Sequence, residues 1–442
     1  MKIASILIFA LILAIGFGNF FMNAKKIVRN IKLGKDVNRK DRSKERWRNM
    51  ARIALGQSKM VNRPIAGILH IIVYVGFVII NIELLEIIID GLFGTHRVFA
   101  PLGVVYDVLI ASFEILAFLV VVAVVVFWFR RNVMNIKRFI SSDLKKWPKN
   151  DANYILYFEI VLMGLFLTMN AADFHLQNLP DASSTYIKAG SFPISQYIAV
   201  LFSGVNEATV VLVERTAWWL HIIGIMIFLN YLYYSKHLHI LLAFPNTYFA
   251  NLNPLGKFEN LESVTNEVKL MMDPSANPFA AQPASDVPSK FGASDVQDLN
   301  WVQLLNAYTC TECGRCSSVC PANQTGKKLS PRKIMMDTRD RLEEVGKNID
   351  ANKGVFIPDG KSLLNDYITT EELWACTSCN ACVEECPVNI SPLSIIMDMR
   401  QYLVMEQSAA PMSLNAMMTN IENNGAPWQY NQMDRLNWKN EQ

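Results

Sequence analysis

The sequence predicts an all-α membrane protein in two unlike halves, a five-transmembrane-helix bundle followed by a helical, cysteine-bearing module. Three observations carry this. Of 442 residues 51% are apolar and only 18% are charged, against about 25% charge in ordinary soluble domains. Every long apolar run lies before residue 245. All eight cysteines lie between Cys310 and Cys386. A formal net charge of +3 excludes nucleic acid as a partner drawn by bulk charge, and the clustering of the cysteines excludes a disulfide scaffold spread through the chain.

Five stretches, roughly 2–22, 65–89, 104–129, 154–172 and 216–242, are long and apolar enough to cross a hydrocarbon layer that needs about 20 helical residues. The first carries one lysine before its apolar run and no clean small-residue cleavage site after it, so it reads as a retained helix rather than a signal peptide. Between Lys25 and Arg63 the chain is strongly basic, and the stretch from Arg130 to Lys149 is basic again, whereas 90–103 and 173–214 are not. Positive loops stay in the cytoplasm. The expected protein is therefore multi-pass in a bacterial inner (cytoplasmic) membrane, with its amino terminus outside and everything after Pro245 in the cytoplasm. The basic loops read first as topology signals and second as contacts to lipid or a partner.

Of six histidines, His70, His221, His237 and His239 sit in or at the ends of the apolar spans, where an ionisable side chain is a functional candidate by default. His221 and His239 are five whole turns apart if the fifth span is one helix, and His237 would point to nearly the opposite face. His70, near the start of an inward-to-outward helix, lies at the depth of His239. Two imidazoles from facing helices at one depth are what a six-coordinate b-type haem needs; two histidines hydrogen-bonded at the membrane interface are the alternative. His221 lacks such a partner, because the position ten residues past His70 is Ile80. Glu83, Glu86, Asp90, Asp107, Glu114, Asp173 and His175 gather toward the outer side. They read as solvated interface groups or, more sharply, as a proton exit.

Residues 218–245, WWLHIIGIMIFLNYLYYSKHLHILLAFP, with ILHIIVYVGF at 68–77, resemble the five-helix cytochrome b subunit of respiratory nitrate reductase and of membrane-bound heterodisulfide reductase. The resemblance covers most of residues 50–245. It implies haem b between the second and fifth helices and electron exchange with quinone (menaquinone or another). His70 and His239 match the cytoplasmic-side ligands. His221 matches one ligand of the outer haem, and Ile80 departs from the pattern, so His221 marks a second haem or a quinone site.

Residues 246–300 lack periodicity and are rich in Pro, Ala, Ser and Asn, which reads as a linker. CTECGRCSSVCP at 310–321 and CTSCNACVEECP at 376–387 follow. Each is C-x2-C-x2-C-x3-C-P, the spacing of cubane iron–sulfur ligands, in which the fourth cysteine reaches the other cluster. Cys310, Cys313, Cys316 and Cys386 are then assigned to one [4Fe-4S] cluster, and Cys376, Cys379, Cys382 and Cys320 to the second. Zinc and disulfides are the alternatives. IMMDTRDRLEEV and LLNDYITTEELWAC, between the motifs, read as helices. The whole of 301–400 resembles the helical dicluster ferredoxin domain of heterodisulfide reductase and of the succinate dehydrogenase iron–sulfur subunit.

No nucleotide-binding glycine loop and no nucleophile beside a base is present, so no catalytic residue is assigned. The tail at 401–442 resembles the segment that in fused relatives joins this module to a cysteine-rich domain with repeated CCG motifs. It reads either as cover for its own clusters or as the dock for a separate cytoplasmic cysteine-rich iron–sulfur subunit. Division of the chain is thus 1–245, 246–300, 301–400 and 401–442. The function expected is that of an electron-transfer subunit of a quinone-linked oxidoreductase. A haem-free membrane anchor or redox-responsive scaffold is the runner-up.

Overall fold

A computed structural model describes residues 2–179, 186–258, 260–273 and 290–440. Five helices long and apolar enough to cross a membrane are present: α1 (Lys2–Ile31), α2 (Pro64–Phe93), α3 (Val104–Asn132), α4 (Trp147–Gln177) and α5 (Glu207–Tyr231). The chain is a multi-pass, all-α membrane protein. Local chemistry sets the ends. Pro64 opens α2, where its missing N–H costs nothing, and Gly94 at φ 67 closes it. The Asn206 side chain accepts from the Thr209 N–H at 2.9 Å and caps α5. Within the bundle α5 packs on α4 and α1, and α3 lies between α2 and α4.

The fifth span is not the single helix expected over 216–242. After Tyr231 the chain tightens into a turn at Leu232–Tyr234, becomes extended at Ser235 (φ −112, ψ 146), turns again at Lys236–Leu238 and restarts as α6 (His239–Tyr248). Buried Asp151 supplies the reason. Its carboxylate accepts from the Tyr231 hydroxyl at 2.6 Å and from the Lys236 backbone N–H at 3.2 Å, and only a broken helix leaves that N–H free. The five-turn alignment of His221 with His239 therefore does not exist, and neither does the opposite-face placement of His237.

The cysteine-bearing module is built on α7 (Trp301–Thr309), α8 (Pro331–Ala351) and α9 (Pro392–Met405). Of the two helices expected between the cysteine motifs, IMMDTRDRLEEV falls within α8. LLND at 363–366 is instead a kinked turn with Asn365 at φ 75, followed by the short helix Thr370–Trp374. The expected linker over 246–300 is partly structure: Asn246 and Thr247 are fully buried, Glu262–Met272 is helical, and Lys35 pairs with Asn300. Residue 259 and residues 274–289 of that linker lie outside the described residues. In the tail, α10 (Met412–Asn424) has no buried residue.

The module sits on the basic loops that join the spans at one end of the bundle, which do more than fix topology. Buried Arg332 of α8 clamps Asp143 with two hydrogen bonds, at 3.0 and 2.6 Å, and donates to the Arg138 carbonyl at 2.8 Å. Arg63 donates to Glu385 at 2.7 Å, Arg315 to the Lys59 carbonyl at 3.0 Å, and Asn30 of α1 to the Tyr308 hydroxyl at 2.9 Å. A buried charge stripped of its partner is expensive. Arg332→Ala is expected to lower stability by about 3–5 kcal/mol. Lys328→Ala, which breaks the exposed Lys328–Glu371 pair, should leave stability nearly unchanged. Thermal bleaching of the iron–sulfur absorbance in detergent measures both; equal effects would refute the docking role of Arg332.

Candidate redox centres

The two cysteine motifs fold as copies of one another. Glu312 and Ser378 (φ 54 and 55), and then Gly314 and Asn380 (φ 72 and 61), take left-handed backbone at equivalent positions. These two reversals curl each loop so that its three leading thiols face inward. Gly314 has a further reason to be glycine: a Cβ there would lie 2.5 Å from Arg332 Nη1. Arg400 fastens the second loop, donating to the Leu373 carbonyl at 2.6 Å and the Cys376 carbonyl at 2.5 Å while its guanidinium lies over Trp374.

All eight cysteines are free thiols. They fall into two neighbourhoods. Cys316 lies in the field of Cys313, Cys310 and Cys386 and, more weakly, of Cys382, while Cys382 lies in that of Cys376, Cys320 and Cys379. The fourth cysteine of each motif thus stands near the other motif's triplet. A cavity lies against Cys310, Cys313, Cys316, Cys382 and Cys386. Among the described residues no three His, Cys, Asp or Glu side chains close around a point that one ion would occupy. Burial pushes the Cys310 and Cys382 thiols up to about 12 and Cys386 to about 11. Thiolates in such a place need cationic iron and backbone donors; Ile390 N–H points at Cys386 Sγ at 3.2 Å.

Cys310, Cys320, Cys382 and Cys386 are buried, and Cys379 alone is exposed. The first set has no exposed thiol, and the second opens to solvent at Cys379. Residues 309–390 match the family described as the 4Fe-4S dicluster domain. This is a two-cluster ferredoxin module. Across the whole chain, the protein described as Probable iron-sulfur-binding oxidoreductase FadF of Bacillus subtilis is 30% identical over 99% of this chain and 61% of its own length. The EtfAB:quinone oxidoreductase of Syntrophomonas wolfei is 26% identical over 92% of this chain and 55% of its own. A probable membrane-anchored ferredoxin of Chromohalobacter salexigens is 32% identical over 35% of this chain and 25% of its own. The chain spans about six-tenths of the length of the first two. No solved structure matches it.

Beside the first thiol set lie the histidines. The rings of His70 and His239 have centroids 6.4 Å apart, a separation that two metal–imidazole bonds of about 2 Å each plus two half-rings would fill. His239 Nδ1 donates to the Lys236 carbonyl at 3.1 Å, which leaves Nε2 as a free lone pair; His70 Nδ1 is buried without a partner. Both features fit axial ligation. His237 is the surprise. Its ring is 5.5 Å from that of His239 and 5.3 Å from Phe228, so it belongs to the same cluster.

His221 is 15 Å or so of helix from the cytoplasmic end of α5, donates from Nδ1 to the Leu162 carbonyl at 3.0 Å, and faces a separate cavity. The outer acidic residues are not solvated. Glu83, Glu86, Asp90, Glu114 and Asp173 are buried, tied to Arg97, which donates to Asp173 at 2.5 Å and to Tyr106 and Asn170 at 3.0 Å. Sequence reasoning passed over Arg97, Lys236, Glu312 and Glu159. The last had a signal, as an ionisable residue isolated in the apolar run YILYFEIVLMGLF.

Cys310→Ser and Cys376→Ser each remove a thiol from a different set. Paramagnetic resonance of the reduced protein is expected to show one cluster signal altered and the other kept, in opposite senses for the two variants. An unchanged spectrum in both would refute the crossed grouping.

Proposed function

We propose that this chain is the membrane electron-transfer unit of a quinone-linked oxidoreductase, joining quinone in the bilayer to a cytoplasmic redox partner. The observation that carries the reading is the His70–His239 pair, 6.4 Å between ring centroids, standing where the ferredoxin module docks. His70 and His239 would hold a b-type haem. Cys310, Cys313, Cys316 and Cys386 would hold one [4Fe-4S] cluster, and Cys376, Cys379, Cys382 and Cys320 the other. Bound there, these groups supply one-electron transfer. The residues of the chain orient, insulate and connect. Lys236 fixes the His239 tautomer through its carbonyl, and its ammonium pairs with Glu312 inside the first cysteine loop.

Quinone as the membrane substrate is supported by the likeness of residues 50–245 to nitrate reductase-type cytochrome b and by the name of the Syntrophomonas relative. The basic inner loops support an amino terminus outside and the ferredoxin module in the cytoplasm. The partner proposed is a cysteine-rich iron–sulfur unit that docks where Cys379 opens to solvent. In the tail Trp428, Tyr430 and Trp438 are exposed, as interface anchors are before a partner covers them.

Two measurements test this. His70→Ala and His239→Ala are each expected to abolish the reduced b-type absorbance band while keeping both cluster signals; His237→Ala should retain haem but shift its potential, because that ring packs beside His239. Full haem content in the His70 and His239 variants would end the proposal. Truncation after Met405 should keep clusters and haem and release the cytoplasmic partner from pull-downs out of native membrane; retention of the partner would refute docking by the tail.

A further inference from the structure

At mid-depth in the bundle, α2, α3, α4 and α5 line a cavity of about 90 Å³, the kind of enclosed gap between bundle helices in which small-molecule sites occur. Its walls are apolar, with Ile80, Val120, Phe166 and Phe228 among them. Into this apolar space come His221, Glu83 and Glu159. His221 is 4% exposed and Glu83 3%. With Nδ1 donating to the Leu162 carbonyl, His221 keeps an acceptor lone pair on Nε2. Glu83 Oε2 is buried with no hydrogen-bond partner, a state that native interiors keep only for a purpose or a ligand. A second haem does not fit, since no other histidine lines the cavity and Ile80 forms part of its wall.

We propose that this cavity binds the head-group of a lipid-soluble quinone, with His221 Nε2 and Glu83 as its polar partners and Glu83 as the group that exchanges protons with the outer side. This deepens the quinone-linked reading above and rests on it. On oxidation of a quinol both O–H bonds break and both C–O bonds become carbonyls. One proton goes to His221 Nε2 and one to the Glu83 carboxylate. The two electrons leave singly to the one-electron metal centres on the cytoplasmic side. Reduction of a quinone is the same sequence reversed.

From Glu83 the way outward is built. It lies within the field of Arg97, Glu86, Glu114 and Asp173. Tyr106 donates to Glu86 at 3.0 Å, Arg97 bonds both Tyr106 and Asp173, and Asp173 meets His96 Nε2 at 3.3 Å. His96 is 15% exposed, so this polar chain reaches the surface. On the opposite side, toward His70 and His239, Val73, Phe77 and Phe228 carry no proton, and Glu159 joins no hydrogen-bonded chain among the described residues.

The test uses the full chain in nanodiscs, titrated with a fluorescent hydroxyquinoline N-oxide whose emission is quenched on binding, with haem absorbance and cluster resonance recorded on the same samples. His221→Phe and Ile80→Trp should each weaken binding about tenfold or more. Glu83→Gln should weaken binding less than His221→Phe does, since the amide can still hydrogen-bond the head-group, yet slow reduction of the clusters by a naphthoquinol about tenfold or more. Haem and cluster signals should match wild type throughout. Binding and cluster reduction at wild-type levels in all three variants would overturn the site and leave the electron-transfer reading standing. A wild-type chain that neither binds the probe nor accepts electrons from the naphthoquinol would overturn both. Loss of a haem signal in His221→Phe would overturn the proposal by making His221 an axial ligand.

Discussion

Lys236 is the residue on which the two halves depend. Burial pulls its ammonium below the usual lysine value, against the opposing pull of Glu312 and Asp151. Burial also raises Glu312, but Lys236 and Arg339 outweigh it and hold that carboxyl below the ordinary range. Two desolvated charges of this kind are tolerable only when each has its partner. The membrane bundle and the first cysteine loop must therefore stay in register, because separating them would leave an ammonium and a carboxylate buried alone. The same residue's backbone serves both neighbours, its N–H bonding Asp151 and its carbonyl receiving His239. Breaking α5 at Ser235 is what makes all of these bonds simultaneous.

A second consequence is directional. No thiol of the first set is exposed while the second reaches solvent at Cys379, and the basic loops around Lys59, Arg63 and Arg138 grip the module between them. In most membrane proteins such loops report topology alone. Here their carbonyls and guanidinium groups also form the platform that a soluble module needs, so one stretch of sequence satisfies two constraints.

The outer half of the bundle shows a different solution to the same dielectric problem. Arg97 is 6% exposed and serves Asp173, Tyr106 and Asn170 at once, with its guanidinium over Phe192. Glu114 accepts from the backbone N–H groups of Ile194 and Ser195, both at 3.0 Å, and thereby ties the outer loop to α3. Each carboxylate is matched to donors, and Glu83 Oε2 is the exception, placed where the network meets the cavity. Exceptions to polar pairing in an otherwise satisfied interior point to function.

By itself the sequence determined the five spans and the two-cluster module, because apolar length and C-x2-C-x2-C-x3-C-P spacing are local patterns with one physical meaning each, whereas the pairing of His70 with His239 was an expectation from depth with a hydrogen-bonded pair as its alternative. It also singled out Ile80 as a position without a ligand. Only the tertiary structure decided where α5 breaks, since the cause is Asp151, some eighty residues away in sequence and silent in any local window. That break carried His237 into the cluster with His239 and took His239 off the helix of His221. Burial of the outer acidic groups was likewise undecidable from the chain, because a carboxylate beside an apolar run reads as solvated until a distant Arg97 is brought against it. The cavity beside His221 belongs to no segment: four helices and the gap left between their side chains create it, and a gap has no residue to announce it.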